Sequence, residues 1–256
     1  MGMVDEAPAL IQRPQAVQAV FFDAGYTLLS PHPSIVEIAR RYCAEHGLQV
    51  DPACLESALP TAEVTLRSLV KADPFTWSDN NAIDAIWRQY FTELLRPCLK
   101  SLSSSELQRH ADGVAQVAGE ATSYALYPDV RPVLDTLARK NLTMGVISDW
   151  GIGLSLILSH HDLVQYFDFA VISAAIRLAK PDPALFDTAL RRANVVPDYA
   201  VHIGDSYVLD VLGARAARIT PVLLDRAGAV DPTTLDCLVV RDLFGLLQIL
   251  DIRLAS

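Results

Sequence analysis

Apolar residues follow two patterns along the chain, and the patterns fall into separate blocks. Short apolar runs occur at Val20-Phe21-Phe22, Leu142 to Ser148, Phe169 to Ser173, Ala200 to Ile203 and Thr220 to Leu224. Continuous runs of this length are characteristic of strands buried on both faces, as in a parallel sheet. From residue 128 onward, helical spacing alternates with the runs. Val130, Val133, Leu134, Leu137 and Ala138 follow Pro128, and a helix is expected at 152–162. Asp182-Pro183 opens the next helix, another follows Asp205, and 241–251 closes the chain. Strands alternating with helices predict βαβ units. The first run is distant from the others in sequence but should join their sheet.

Residues 31–124 follow the helical pattern throughout. Ser30-Pro31-His32-Pro33 breaks the chain, and Ser34 with Glu37 reads as a capping box for a helix to about His46, with Gly47 as its C-cap. A second helix starts near Asp51, and Pro60 is expected to kink or split it. Ile83, Ile86, Trp87, Tyr90, Phe91 and Leu94 then form one apolar helix face, ended by Pro97, with Trp87 expected in a core. Ser103 and Glu106 form a second capping box, opening a helix to about Ser123. With no convincing strand, this block predicts a helical bundle. The expected architecture is α/β: a Rossmann-like parallel-sheet core in three α/β/α layers from 16–30 and 125–256. An inserted helical cap spans 31–124, and a loose tail spans 1–15.

Composition narrows the function classes. At 256 residues, 51% apolar and mean hydropathy +0.25, the chain can bury a large core. Its net charge of −9 argues against a nucleic-acid-binding surface, but local cations or a metal could still bind a small phosphorylated molecule. No apolar run approaches a membrane span, and no signal-peptide core follows Met1, so a cytoplasmic protein without membrane partners is expected. Cys43, Cys54, Cys98 and Cys237 have no metal-ligand spacing and read as buried free thiols in a reducing compartment.

Four strand tips carry polar groups: Asp23 with Thr27, Ser148 with Asp149, Lys180, and Asp205 with Asp210. In a parallel sheet these tips fall on one edge, where ligands bind. Each residue alone is explained by a turn or a helix cap. Together they form a phosphoryl-transfer set. Asp23 would attack phosphorus to form an acyl phosphate. Asp23 and Asp205 could hold Mg²⁺ against the like-charge repulsion, while Ser148 and Lys180 bind the non-bridging oxygens.

With these residues in place, the chain resembles the haloacid dehalogenase (HAD) superfamily, most closely its phosphatase-like members with a helical cap. The resemblance rests on Asp23 to Leu28, on Val146-Ile147-Ser148, on Lys180-Pro181-Asp182-Pro183, and on Gly204-Asp205-Ser206-Tyr207-Val208-Leu209-Asp210 with Gly213-Ala214-Arg215. It implies Asp23 as nucleophile. It also implies Mg²⁺ held by Asp23, the Gly25 backbone carbonyl and Asp205, with Asp210 in support. Thr27, Ser148, Asp149 and Lys180 are the implied phosphate-binding residues, with Lys180 also catalytic.

One position departs from the family pattern. The usual second Asp, which protonates the leaving alcohol, is Gly25 here, and Tyr26 replaces the glycine after it. General acid–base help is typically worth about 10²–10⁴-fold, so ordinary phosphate-ester hydrolysis should be slow. Three functions stay open: a Mg²⁺-dependent phosphatase of a small phosphorylated metabolite, a 2-haloacid dehalogenase using Asp23, and a catalytically weak or silent binding protein. Arg40, Arg41 and Arg67 are the candidate halide ligands. Trp150 is placed either to pack or to touch substrate.

Overall fold

In chain order, β1 (Ala19–Phe22) and β2 (Leu29–Pro31) precede four helices, α1 (Ile35–Glu45), α2 (Pro52–Ala72), α3 (Asn80–Leu95) and α4 (Ser104–Ala118). The chain continues through β3 (Tyr124–Leu126), α5 (Val130–Ala138), β4 (Thr143–Ser148), α6 (Leu154–His160), β5 (Phe169–Ile172), α7 (Ser173–Ile176) and α8 (Pro183–Ala193). Then come β6 (Ala200–Gly204), a π-helical turn at Tyr207–Val211 leading into α9 (Leu212–Ala216), β7 (Thr220–Leu224), β8 (Leu238–Val240) and α10 (Leu243–Ile249). This computed structural model describes residues 14–73 and 75–254. The expected loose tail therefore lies outside the described residues as far as residue 13, and Pro14–Ala16 forms one 3-10 turn.

Six parallel strands form the sheet in the order β5-β4-β1-β6-β7-β8. Alternation along β1 separates the two faces. Val20 and Phe22 join the cluster under α5, α6 and α10, while Ala19 and Phe21 join the cluster under α8 and α9. Phe22 lies level with Val146 of β4 and Ile203 of β6, so Asp23, Ser148 and Asp205 leave the sheet at one edge.

The sixth strand, β8, was not expected, because Leu238-Val239-Val240 is too short a run to stand out from a loop. The expectation of no strand over 31–124 also needs correction at both limits. Leu29–Pro31 and Tyr124–Leu126 pair antiparallel where the chain leaves and rejoins the parallel sheet. Such pairing depends on partners nearly a hundred residues apart, which local pattern does not reveal.

The four helices α1 to α4 pack around their own apolar cluster, including Ile38, Leu55, Phe91, Leu94 and Leu107. Pro60 does not split α2. It lies on the exposed side of a continuous 21-residue helix whose Leu55, Ala58 and Ala62 are buried on either side of it. Ser103 and Glu106 complete both halves of their capping box. Ser34 only accepts from the Glu37 N–H, because Glu37 pairs instead with Arg40 and Arg41. The free-thiol reading fails for two cysteines: Cys54, near the start of α2, is bonded to Cys98, just beyond the end of α3. These helices pack side by side, bringing together cysteines whose 44-residue separation gave no sign of contact. Cys43 and Cys237 remain free. Among the described residues, no helix is long and apolar enough to cross a membrane.

Candidate active site

The loop after β1 folds tightly back on itself. Leu28 and Leu29 both donate their N–H to the Ala24 carbonyl, and Tyr26 takes a left-handed φ of 52°. This turn holds the half-ring of residues 23–29 at the sheet edge, with Asp23 fixed by its own N–H to the Ile203 carbonyl at 2.9 Å.

Asp23 Oδ1 accepts from Lys180 Nζ at 2.6 Å and from Ser148 Oγ at 3.2 Å. Lys180 Nζ also donates to Asp210 Oδ1 at 2.6 Å, so one buried ammonium bridges two buried carboxylates. The Lys180 N–H donates to Asp149 Oδ1 at 3.0 Å, which pins the lysine segment to the β4 tip. Asp210 Oδ2 accepts from the Ser206 N–H at 3.0 Å. Gly204 makes this fold-under possible, because a Cβ there would lie 2.2 Å from the Asp210 carboxyl carbon.

His202 completes the set and was missed in the sequence. Its Nε2 donates to Asp210 Oδ1 at 2.9 Å from a fully buried position in β6. The available signal was a histidine within an otherwise apolar strand, because a buried polar group requires a partner.

The charges are mutually dependent. Burial opposes the charge on Lys180, but Asp210, Asp23 and Asp149 outweigh that and hold its pKa above the usual lysine value. Burial likewise opposes ionisation of Asp210, yet Lys180 and the His202 hydrogen bond hold its pKa below the carboxylate range. Asp23 goes the other way: desolvation raises its pKa, and Lys180 only partly offsets this. Burial pushes Asp149 up to about 7 against the opposing charge of Lys180. Asp205 also rises to about 7, through crowding by protein and then repulsion from Asp23 and Asp210, although part of its side chain reaches solvent. Burial keeps His202 neutral by lowering its pKa.

Two expected residues lie differently from the rest. Thr27 is fully buried below the loop and its Oγ1 has no hydrogen-bond partner. It does not line the cavity described below. Its carbonyl accepts from Arg226, which stacks on Tyr127 and also binds Asp129, so Thr27 is held by a clamp on the far side of the loop. Asp205 lines the cavity, but no lysine, arginine or histidine pairs with it among the described residues.

A cavity of about 920 Å³ opens above Asp23, between the sheet edge and the helices α2 to α4. Asp23, Ser148, Asp149, Lys180, Asp205 and Asp210 line its floor. Trp87 packs on the bundle core as expected, but it also faces this cavity. Ser173 Oγ joins the two sides, accepting from the Trp150 N–H at 2.9 Å and donating to the Trp77 carbonyl at 2.5 Å. Of the candidate halide ligands, Arg40 and Arg41 are bound to Glu37 and only Arg67 reaches the cavity.

Among the described residues, no three His, Cys, Asp or Glu side chains gather closely enough to hold a metal by themselves. Mg²⁺ does not require such a cage, since it is held by one or two carboxylates and completes its shell with water and substrate phosphate. Asp210 has both oxygens occupied by protein donors. Asp205 is unpaired, only Oδ1 of Asp23 is engaged, and the Gly25 carbonyl accepts no hydrogen bond among the described residues. This donor set fits Mg²⁺.

A Rossmann-like sheet with a carboxylate at the tip of its central strand, held by a lysine and a hydroxyl, defines a hydrolase of the HAD type. The family model for haloacid dehalogenase-like hydrolases matches residues 17–218, and the chain belongs to that family. It is 30% identical to haloacid dehalogenase-like hydrolase domain-containing protein 3 of Danio rerio, over 82% of this chain and 86% of that protein. It is 28% identical to a phosphoserine phosphatase of Thermus thermophilus, over 68% of this chain and 78% of that protein. Among solved structures, a 2-haloacid dehalogenase of Pseudomonas syringae superposes with a TM-score of 0.62 at 28% identity, covering 92% of this chain and 98% of that one.

Proposed function

We propose that this hydrolase is a Mg²⁺-dependent phosphatase acting on a small phosphorylated molecule through an aspartyl-phosphate at Asp23. The observation that carries this reading is Lys180 Nζ at 2.6 Å from both Asp23 and Asp210, with Ser148 Oγ on the same Asp23 oxygen. Lysine and serine hold the Asp23 carboxylate in place, so that one of its oxygens attacks phosphorus while the other faces the metal. Lys180 and the Ser148 hydroxyl then offset charge that develops on the non-bridging oxygens. Asp210 and His202 position Lys180 without touching substrate. Asp23, Asp205 and the Gly25 carbonyl would hold Mg²⁺, which when bound supplies charge neutralisation for the phosphate dianion.

The phosphatase-named relative supports a phosphorylated substrate, and the helices α1 to α4 act in this reading as the cap that encloses it. The cytoplasmic expectation stands against the Cys54–Cys98 disulfide, a bond that persists mainly in oxidising compartments. The proposed chemistry depends on neither location.

The test is release of phosphate from p-nitrophenyl phosphate and acetyl phosphate with and without MgCl₂. Mg²⁺-dependent turnover that disappears in Asp23→Asn is expected. Halide release from 2-haloacids without metal would establish the dehalogenase alternative instead, and turnover of neither class would leave a binding protein.

A further inference from the structure

Resting on the phosphatase reading, we infer that the substrate is an aryl phosphate, a phosphate monoester whose leaving group is an uncharged, flat, phenol-type ring. Three features of the cavity converge on this class.

The first is the wall. Tyr26, Trp77, Trp87, Tyr90, Phe91 and Trp150 all face the space above Asp23. Trp87 stands edge-on to Trp77 at 6.4 Å and to Tyr90 at 5.5 Å, which leaves ring faces and edges for a further aromatic partner.

The second is charge. The arginines that line the cavity are both paired, Arg67 with Glu63 at 3.6 Å and Arg88 with Asp112. No free cation is left among the described lining residues, beyond Lys180 on the floor, to receive a second phosphate or a carboxylate. A substrate body with its own negative charge would face carboxylates instead.

The third is the leaving group. The position beside Asp23 that would carry a proton donor is Gly25, and the side chain covering it is Trp150. An indole cannot protonate an alkoxide, whereas a phenolate leaves without that help. In the step itself, a carboxylate oxygen of Asp23 forms a bond to phosphorus, and the bond from phosphorus to the aryl oxygen breaks with its electron pair on the phenolate. Water then attacks phosphorus and the bond to Asp23 breaks. Of the two water protons, one stays on the released phosphate and the other passes to the phenolate.

The experiment compares kcat/KM of the whole protein with MgCl₂ for 2-naphthyl phosphate, phenyl phosphate, acetyl phosphate, ethyl phosphate and phosphoserine. Acetyl phosphate has a good leaving group but no ring, and so separates chemistry from ring binding. The naphthyl ester should exceed acetyl phosphate by at least about tenfold, chiefly through a lower KM, with ethyl phosphate and phosphoserine slowest. Trp87→Leu should reduce the naphthyl-to-acetyl ratio about tenfold. Acetyl phosphate turned over as well as both aryl esters would overturn the aryl inference and leave the phosphatase standing. No turnover of any of the five would overturn the phosphatase reading itself.

Discussion

Trp150 lies against Gly25 so closely that a Cβ at Gly25 would stand 3.1 Å from the indole ring. The place where a proton donor would sit is thus filled by an aromatic side chain, which is half-buried and packed edge-on against Tyr124 at 5.3 Å. An acid placed at Gly25 meets the indole ring, which must give by a few tenths of an ångström to admit it.

This relationship makes Gly25→Asp informative. A carboxyl at that position should raise ethyl phosphate hydrolysis toward the 10²–10⁴-fold typical of general acid–base help, and change p-nitrophenyl phosphate hydrolysis far less. Gly25→Asp combined with Trp150→Leu should exceed the single variant, because the ring no longer crowds the new side chain. Steady-state kcat/KM on both esters checks this. An equal change for the alkyl and aryl esters would show that acid catalysis is not what Gly25 lacks.

Among the described residues, Lys180 is the only cation between Asp23 and Asp210, and all three are buried. Removing one member of a buried ion pair typically costs about 3–5 kcal/mol, because the partners are left uncompensated. Lys180→Met should therefore lose that order of stability at pH 7 in urea unfolding, and should lose turnover. The sign with pH follows from Asp210. Its pKa is depressed in the folded protein, so its stabilisation is present above the ordinary carboxylate value of 3.8 and fades as pH falls below it. The gap between wild type and Lys180→Met should hold down to about pH 4 and narrow as pH falls below it. A gap independent of pH would mean that Lys180 acts through packing alone.

Asp149 gives the opposite pH signature. Its pKa rises in the folded state from 3.8 to about 7. Between those values the folded protein holds a proton that the unfolded chain has released, so stability falls as pH rises. Asp149→Asn keeps the acceptor for the Lys180 N–H and removes the ionisation. Thermal unfolding in EDTA should show the variant gaining on wild type from pH 4 to pH 7 and level beyond. A constant difference across that range would contradict the raised pKa.

His202 acts on the site only through Asp210. Replacing a buried donor commonly costs about 1–3 kcal/mol, and His202→Leu should lower kcat more than it raises KM. His202→Gln, which can still donate, should recover most of both. A His202→Gln variant no better than His202→Leu would assign the histidine to packing.

Much of this arrangement was legible in the residues because it depends on short-range pattern. Continuous apolar runs mark the main strands, and a parallel sheet necessarily gathers their tips, so Asp23, Ser148, Asp149, Lys180, Asp205 and Asp210 group together on pattern alone. Contacts set by distant partners were not legible. The β2–β3 pair, the Cys54–Cys98 bond and the Arg226 clamp on Thr27 each join segments that only the folded topology brings together. Thr27 was grouped with the tips by its spacing from Asp23, but the tight loop turns its side chain under the site and away from the cavity. Trp87 was read as core by helical period, which cannot show that a ring packed on one helix layer also forms the wall of a cavity.

Uptake of the phosphoryl group by Asp23 is open to rapid acid quench with peptide mass mapping. Mixed with p-nitrophenyl phosphate and MgCl₂, the protein should carry one phosphoryl group, on the peptide containing Asp23, and Asp23→Asn should carry none and release no p-nitrophenol. Undiminished turnover by Asp23→Asn, or a phosphoryl group trapped on another residue, would contradict the account.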